Sequence, residues 1–243
     1  MVIAPDRFDA VVFDLDGVVT DTARVHFAAW KQLFDAYLTE VDAEDGAPFT
    51  HGEYLRFVDG RPRIDGVEVF LESRGIRLSR GEPSDPVDAG TAWALANRKN
   101  HFFLENLAAN GVEVFPDAIE LLDAVRRAGM KTAVVTASRN RAEVLEVAGI
   151  AGHFDAHVDG LDCARLGLPG KPDPASFLEA ARRLGVTASR AVVIEDALAG
   201  CEAASRGGFG LVIGIDRRGS GEHLRSSGAD VVVGDLSSVE IVT

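Results

Sequence analysis

The sequence predicts an α/β protein: a doubly wound, mainly parallel sheet whose first strand is followed by an inserted α-helical cap. Three observations carry that expectation. The run Ala10-Val11-Val12-Phe13 is continuously apolar and rich in β-branched residues, as a strand buried on both faces must be. From Phe115 onward, helix-period segments that stop at Gly129, Gly149 and Gly185 alternate with short apolar runs. Between these stretches, residues 23–108 show helical spacing and no convincing strand. The expected division is therefore 1–22 and 109–243 for a discontinuous Rossmann-like core, and 23–108 for the cap.

After the first strand the apolar period changes. Trp30, Leu33, Phe34, Tyr37, Leu38 and Val41 follow the three-and-four spacing of an amphipathic helix, with Thr22 as its expected N-cap. Acids and glycine at Asp42 to Gly46, a short helix at Gly52 to Val58 and a turn at Asp59-Gly60-Arg61-Pro62-Arg63 come next. Helices are expected from Gly66 to Arg74 and from about Ala89 to Ala109. The intervening stretch Leu78 to Asp88, with Gly81, Pro83 and Pro86, reads as a loop with no assignable task. In the second half, helices at Asp117–Ala128, Arg141–Ala148, Ala175–Leu184 and Leu198–Arg206 alternate with strands at Lys131–Thr136, Phe154–Val158, Ala191–Ile194 and Phe209–Ile215.

Composition bounds the function. Apolar residues at 47% and charged residues at 26% are ordinary for a globular chain of 243 residues. The formal net charge of −13 argues against nucleic acid and anionic membrane as general partners, since both carry the same sign. Cys163 and Cys201 have no metal-ligand spacing, so neither a disulfide framework nor a zinc site is expected. Met1 to Asp9 holds no apolar core. A reduced, cytoplasmic and monomeric protein is the expectation.

Ligands of doubly wound sheets bind outside the carboxyl ends of the strands. That rule gathers Asp14, Asp16, Thr136 and Glu195-Asp196 onto one rim, which the helical insertion is expected to cover. In Asp14-Leu15-Asp16-Gly17, two acids share a strand face at a strand end and a glycine lets the chain turn around what lies between them. Beside a phosphoryl group, Asp14 can attack phosphorus while Asp16 moves the proton of the leaving or accepting oxygen. A bare Asx turn explains one acid but not this pair followed by Asp21. Carboxylates from two strand ends, Asp14 and Asp196 with Glu195 beside them, suit a hard cation such as Mg²⁺. Lys171, in Gly170-Lys171-Pro172-Asp173-Pro174, would neutralise phosphoryl charge. Thr136 and the backbone N–H groups from Ala137 onward would hold phosphoryl oxygens. Taken singly, Lys171 is a solvated loop lysine and Thr136 a strand-end hydroxyl; their order along one alternating fold joins them.

Asp14-Leu15-Asp16-Gly17-Val18-Val19-Thr20-Asp21-Thr22, Thr136-Ala137-Ser138, Lys171-Pro172 and Glu195-Asp196 resemble the four successive motifs of the haloacid dehalogenase superfamily. The resemblance implies Mg²⁺-dependent phosphotransfer through an aspartyl-phosphate on Asp14, with the Asp16 carbonyl as a further metal ligand. The acid at position 16 points to the phosphatase and mutase branches. Asp21-Thr22-Ala23-Arg24-Val25-His26-Phe27-Ala28-Ala29-Trp30-Lys31, Arg98-Lys99-Asn100 and Ser138-Arg139-Asn140 are similar to the β-phosphoglucomutase group, which interconverts β-glucose 1-phosphate and glucose 6-phosphate. That similarity implies a sugar-phosphate substrate, with Arg63 and Lys99 gripping the phosphate that is not transferred, His26 helping to orient Asp16, and Ser138 and Asn140 contacting substrate. One departure is Asp59-Gly60-Arg61-Pro62, an acid where the family often has a basic residue. The same core motifs also fit a sugar-phosphate phosphatase. A receiver-type phosphoacceptor module would explain Asp14 and Lys171 but neither Asp16 nor the insertion.

Overall fold

The computed structural model describes residues 1–41, 47–59, 61–217, 219 and 221–242. The expected acidic segment at 42–46 and Gly60 of the expected turn lie outside the described residues. Two compact units form: Met1–Thr22 with Val112–Thr243, and Ala23–Gly111. After a short β1 (Val2–Ile3), β2 (Ala10–Asp14) is buried at every position, which is why its sequence stays apolar until the strand ends.

α1 (Thr22–Glu40) buries the face that its spacing marks, Trp30, Leu33, Phe34, Tyr37 and Leu38. Val41, expected on that face, lies past the helix and is 42% exposed. Thr22 is not an N-cap, because it already has helical geometry and its hydroxyl is used elsewhere. α2 (His51–Glu53) opens on a reciprocal cap: Thr50 Oγ accepts the Glu53 N–H, and the Glu53 carboxylate accepts the Thr50 N–H. One π-helical turn follows at Tyr54–Val58. α3 (Arg63–Ser73) starts earlier than the Gly66 expected, since Pro62 takes the N-cap with an extended ψ of 139° and helical dihedrals begin directly after it. α4 (Ala92–Asn110) starts later than Ala89, because Thr91 accepts the Ala94 N–H and caps it. Aromatic rings fill the middle of this unit: Phe34 lies 4.1 Å from Phe70 and 4.9 Å from Phe49 between centroids, with Trp30 stacked on its other side. The loop of residues 78–88 has a structural task after all. Asp85 accepts from the Thr91 hydroxyl at 2.6 Å, and Asn97 donates to the carbonyls of Pro83 and Asp85, strapping the loop onto α4.

The remaining elements belong to the first unit: α5 (Pro116–Arg127), β3 (Lys131–Val135), α6 (Arg141–Val147), β4 (Ala156–Val158), α7 (Gly160–Leu166), α8 (Ala175–Leu184), β5 (Ala191–Glu195), α9 (Leu198–Arg206), β6 (Leu211–Ile215), α10 (Gly221–Ser226), β7 (Val231–Val233) and β8 (Glu240–Ile241). Six strands form one parallel sheet in the order β4-β3-β2-β5-β6-β7, and β1 pairs with β8 apart from it. From β2 the chain winds outward through β3 and β4, then returns to β5 on the other side of β2. The winding direction therefore reverses at β2, where such sheets bind ligands. β4 is shorter than the expected strand from Phe154, because Asp155 turns its carboxylate back onto the Thr132 N–H before pairing begins. α7 has no counterpart in the sequence expectation; Asp159 caps it by accepting the N–H groups of Leu161 and Asp162. Among the described residues no helix is long and apolar enough to cross a membrane.

Arg183 ties three of these elements together. It donates to the His157 carbonyl of β4 at 2.6 Å, to Asp162 of α7 at 2.9 Å and to Glu179 of α8 at 2.8 Å. The guanidinium of Arg183 holds the Asp162 carboxyl far below its ordinary range, and Arg182 with Arg183 brings Glu179 down to about 2. Both carboxylates have lower pKa values folded than unfolded, so their stabilisation is complete above pH ~5 and is lost as pH falls from there to ~2 and below. Arg183→Met is expected to destabilise this unit by about 1 kcal/mol at neutral pH, after solvent screening of a partly exposed cluster. That corresponds to roughly 2–4 °C in Tm. Thermal melts of wild type and variant at pH 7 and pH 3 check it: the gap should narrow at the lower pH, and an equal gap at both would refute the linkage.

Candidate active site

The rim of the sheet at β2 collects most of the expected residues of the first unit. Asp14 ends β2, where it is paired in register with Val135, and Glu195 ends β5 on the other side of the same strand. Both are nearly inaccessible, Asp14 at 5% and Glu195 at 1%. Asp14, Glu195 and Asp196 each place a carboxylate oxygen within 4.8 Å of one another. Such crowding demands cations. Lys171 supplies one: its ammonium donates to Asp14 Oδ1 and, at 2.7 Å, to Glu195 Oε2, and it lies 4.7 Å over the Phe177 ring. Glu195 Oε1 accepts the Ala197 N–H at 3.0 Å.

The charge balance remains negative. Burial raises the pKa of Asp14 well above the ordinary carboxylate range, and neighbouring Glu195 pushes it the same way, against the pull of Lys171. Burial would lower that of Lys171, but Asp14 and Glu195 outweigh it and hold the ammonium firmly charged. One ammonium among three converging carboxylates leaves room in charge for a hard divalent cation, and an all-oxygen donor set is what such a cation prefers. Gly17 lets Asp196 come this close. Its φ is +92°, and a Cβ there would sit 2.1 Å from Asp196 Oδ2.

Asp16 lies past the strand end and is held by hydroxyls. Thr22 donates to Oδ1, and Thr136 donates to Oδ2 at 2.6 Å. Thr22 was expected only as a helix cap, and a hydroxyl six residues after an acid in a tight turn is the signal that points to this role. The Thr136 hydroxyl that donates to Asp16 also accepts the Ser138 N–H at 2.9 Å. The loop from Thr136 to Asn140 is folded on itself. Ser138 Oγ accepts the Asn140 N–H, and the Ser138 carbonyl accepts the Gly160 N–H at 2.8 Å. Ala137 is exposed, and a Cβ on Gly160 would come 2.5 Å from its carbonyl oxygen. Arg141, 2.9 Å from the α7 cap Asp159, anchors the same loop and was not foreseen.

His26, Arg63 and Lys99 gather in the second unit. Lys99, only 4% exposed, lies 2.8 Å from His26 Nδ1 and within 5.1 Å of the ring centroids of Trp30 and Phe103. The His26 ring stacks on Phe103 at 4.4 Å. Burial, then Lys99, then Arg63 lower its pKa well below the usual value, so the imidazole is neutral and its Nδ1 accepts from the Lys99 ammonium. Within its own unit, His26 holds Lys99.

The chain matches the haloacid dehalogenase-like hydrolase family over residues 8–208, a span that includes Asp14, Asp16, Thr136, Lys171, Glu195 and Asp196. A β-phosphoglucomutase of Mycobacterium tuberculosis is 44% identical over 242 residues, covering 97% of this chain and 92% of that protein. A phosphorylated carbohydrates phosphatase of Thermotoga maritima is 29% identical over 93% of this chain and 94% of its own. The crystal structure of β-phosphoglucomutase from Clostridium difficile superposes with a TM-score of 0.73 at 28% identity, covering 95% of this chain and 92% of that one. Similarity of this extent, over nearly the whole length of both chains, identifies the family: the chain is an enzyme that belongs to the haloacid dehalogenase-like hydrolase family, in its β-phosphoglucomutase-like group.

Proposed function

We propose that this enzyme transfers phosphoryl groups through Asp14 and interconverts β-glucose 1-phosphate and glucose 6-phosphate, in the cytoplasm and as a single chain. The observation that carries the reading is the division of labour between two carboxylates one residue apart. Asp14 is fixed by the sheet and faces Lys171, whereas Asp16 is fixed by two hydroxyls, as a group that exchanges a proton must be. The enzyme starts phosphorylated on Asp14. Asp16 takes the proton of the sugar 6-hydroxyl as that oxygen bonds to phosphorus and the bond from phosphorus to Asp14 breaks, which gives the 1,6-bisphosphate. In the opposite orientation Asp14 attacks the 1-phosphate, the bond from phosphorus to the anomeric oxygen breaks, and Asp16 returns its proton to that oxygen. Glucose 6-phosphate leaves and the aspartyl-phosphate is restored.

The carboxylate cluster fits Mg²⁺, with Asp14, Asp196 and the Asp16 carbonyl as ligands and Glu195 beside them. A bound Mg²⁺ would offset the repulsion between a phosphoryl group and these acids. Lys171 offsets it in the same sense through a fixed ammonium. Arg63 and Lys99 are assigned to the second phosphate, and Ser138 and Asn140 to the sugar. Lys99 suits that task because it is buried, charged and oriented by a neutral histidine. Anchoring the far phosphate supplies remote binding energy, which favours the sugar hydroxyl over water as acceptor. The relative named for phosphatase activity favours a second reading, in which water is the acceptor and that anchor matters less.

Three outcomes test these assignments. Asp14→Asn keeps the size of the side chain and removes its nucleophilic oxygen, so turnover should vanish; rapid quench with labelled substrate should trap a base-labile acyl phosphate on wild type alone, and label on the variant would refute the nucleophile. Millimolar Mg²⁺ should raise the wild-type Tm by a few degrees, as binding to the folded state alone requires. The same addition should leave Asp196→Asn unmoved, and an equal rise in both would place the metal elsewhere. Arg63→Ala and Lys99→Ala should weaken mutase turnover roughly ten- to hundredfold, the value of one charge-assisted contact of about 1.5 to 3 kcal/mol. Phosphorylation by acetyl phosphate should fall far less. Equal losses in both assays would favour the phosphatase reading.

A further inference from the structure

The turn that follows Asp16 closes its inner side with its own bonds. Gly17 N–H donates to the Thr20 carbonyl at 2.8 Å, and the Leu15 carbonyl accepts the N–H groups of Val19 and Thr20 and the Thr20 hydroxyl. The carbonyls of Gly17 and Val18 face a different partner, the guanidinium of Arg217 in the loop after β6. Nε lies 3.2 Å from the Gly17 oxygen and Nη2 lies 3.3 Å from the Val18 oxygen. The same guanidinium sits 3.7 Å over the Phe115 ring and 3.0 Å from Asp117 Oδ1. Asp117 is held in turn, since its other oxygen accepts the Leu236 N–H at 2.8 Å. Phe115 is tied to the same turn through its N–H, which donates to the Val19 carbonyl.

An ion pair with Asp117 stacked on Phe115 would satisfy Arg217 as a strut. Two further donors are directed at a turn that is already closed, and that turn carries Asp16 at one end and Thr22, the hydroxyl partner of Asp16, just beyond the other. Rotation of the Gly17–Val18 peptide would displace both ends. It would also move Gly17 away from the Asp196 carboxylate packed against it. We propose that Arg217 is a positioning residue for Asp16, acting through the carbonyls of Gly17 and Val18; this rests on the reading of Asp16 as acid and base. A lysine at 217 has a point charge in place of the fork and reaches one carbonyl at a time.

Two half-reactions separate positioning of Asp16 from support of the fold. Acetyl phosphate phosphorylates Asp14 with acetate as leaving group, which needs no proton, whereas transfer from Asp14 to a sugar hydroxyl needs Asp16 as base. In Arg217→Met, transfer to β-glucose 1-phosphate should slow about ten- to hundredfold with KM within about twofold, as misplacement of one group by an ångström produces. Acyl-phosphate formation from acetyl phosphate should fall at least tenfold less, and Arg217→Lys should recover part of the transfer rate. Equal losses in the two half-reactions, or no loss in transfer, would overturn the inference. If Arg217→Met does not fold, Arg217→Lys carries the same comparison by its own ratio of losses. A wild type that forms no acyl phosphate would instead overturn the reading of Asp14, and this inference with it.

Discussion

The structure depends on one buried ammonium between two strands. Asp14 and Glu195 end neighbouring strands of a sheet covered on both faces, and each is almost wholly removed from water. Two carboxylates so placed repel each other in a medium that screens poorly, and without a shared cation they would oppose the pairing of β2 with β5. Lys171 joins both, from a loop that the chain reaches only after β4 and α7. The centre of the sheet and the centre of the chemistry therefore share one electrostatic solution. Cys201, buried beneath the same acids, shows the field: its thiol is pushed up to about 12, by burial first and then by Glu195 and Asp196.

The second unit solves the opposite problem. There a cation, Lys99, is buried against the faces of Trp30 and Phe103 and beside a ring nitrogen of His26. Aromatic faces and a neutral acceptor stabilise an ammonium without neutralising it. Burial and the neighbouring Lys99 and Arg63 charges keep that histidine neutral, so its Nδ1 can accept the ammonium proton.

Legibility in the sequence followed the range of the interaction. The buried strands were plain because burial on both faces leaves a continuous apolar run, and the strand-end acids were plain because each sits directly after such a run. Residues 216–242 were not, because β7 is only half-buried and short, and its pairing with β6 leaves no local pattern. α7 escaped for a related reason: it buries no residue, and its one sign is the capping pattern around Asp159. Thr22 shows the limit of a correct rule, since a threonine after a turn does favour a helix start, but an acid six residues earlier competes for its hydroxyl. Arg217 and Asp117 lie 100 residues apart. No periodicity or motif joins them, and only the folded chain does.

The two acids of the site differ in what places them. Asp14 belongs to the ladder: its register partner Val135 on β3 and the pairing of the preceding Phe13 with Ile194 on β5 fix its backbone to the accuracy of the sheet, and the Lys171 ammonium fixes its oxygen. Asp16 belongs to the turn, where no ladder reaches, and its geometry is set by a positive φ at Gly17, two hydroxyls and the bonds on the outer side of the turn. In the reaction proposed above, Asp14 meets phosphorus along one line, and a rigid placement serves that role. In the same reaction the acid and base serves two different sugar oxygens in turn, from a position that two hydroxyls define. That difference is built into the sequence as a single step, from the last residue of a strand to the second residue beyond it.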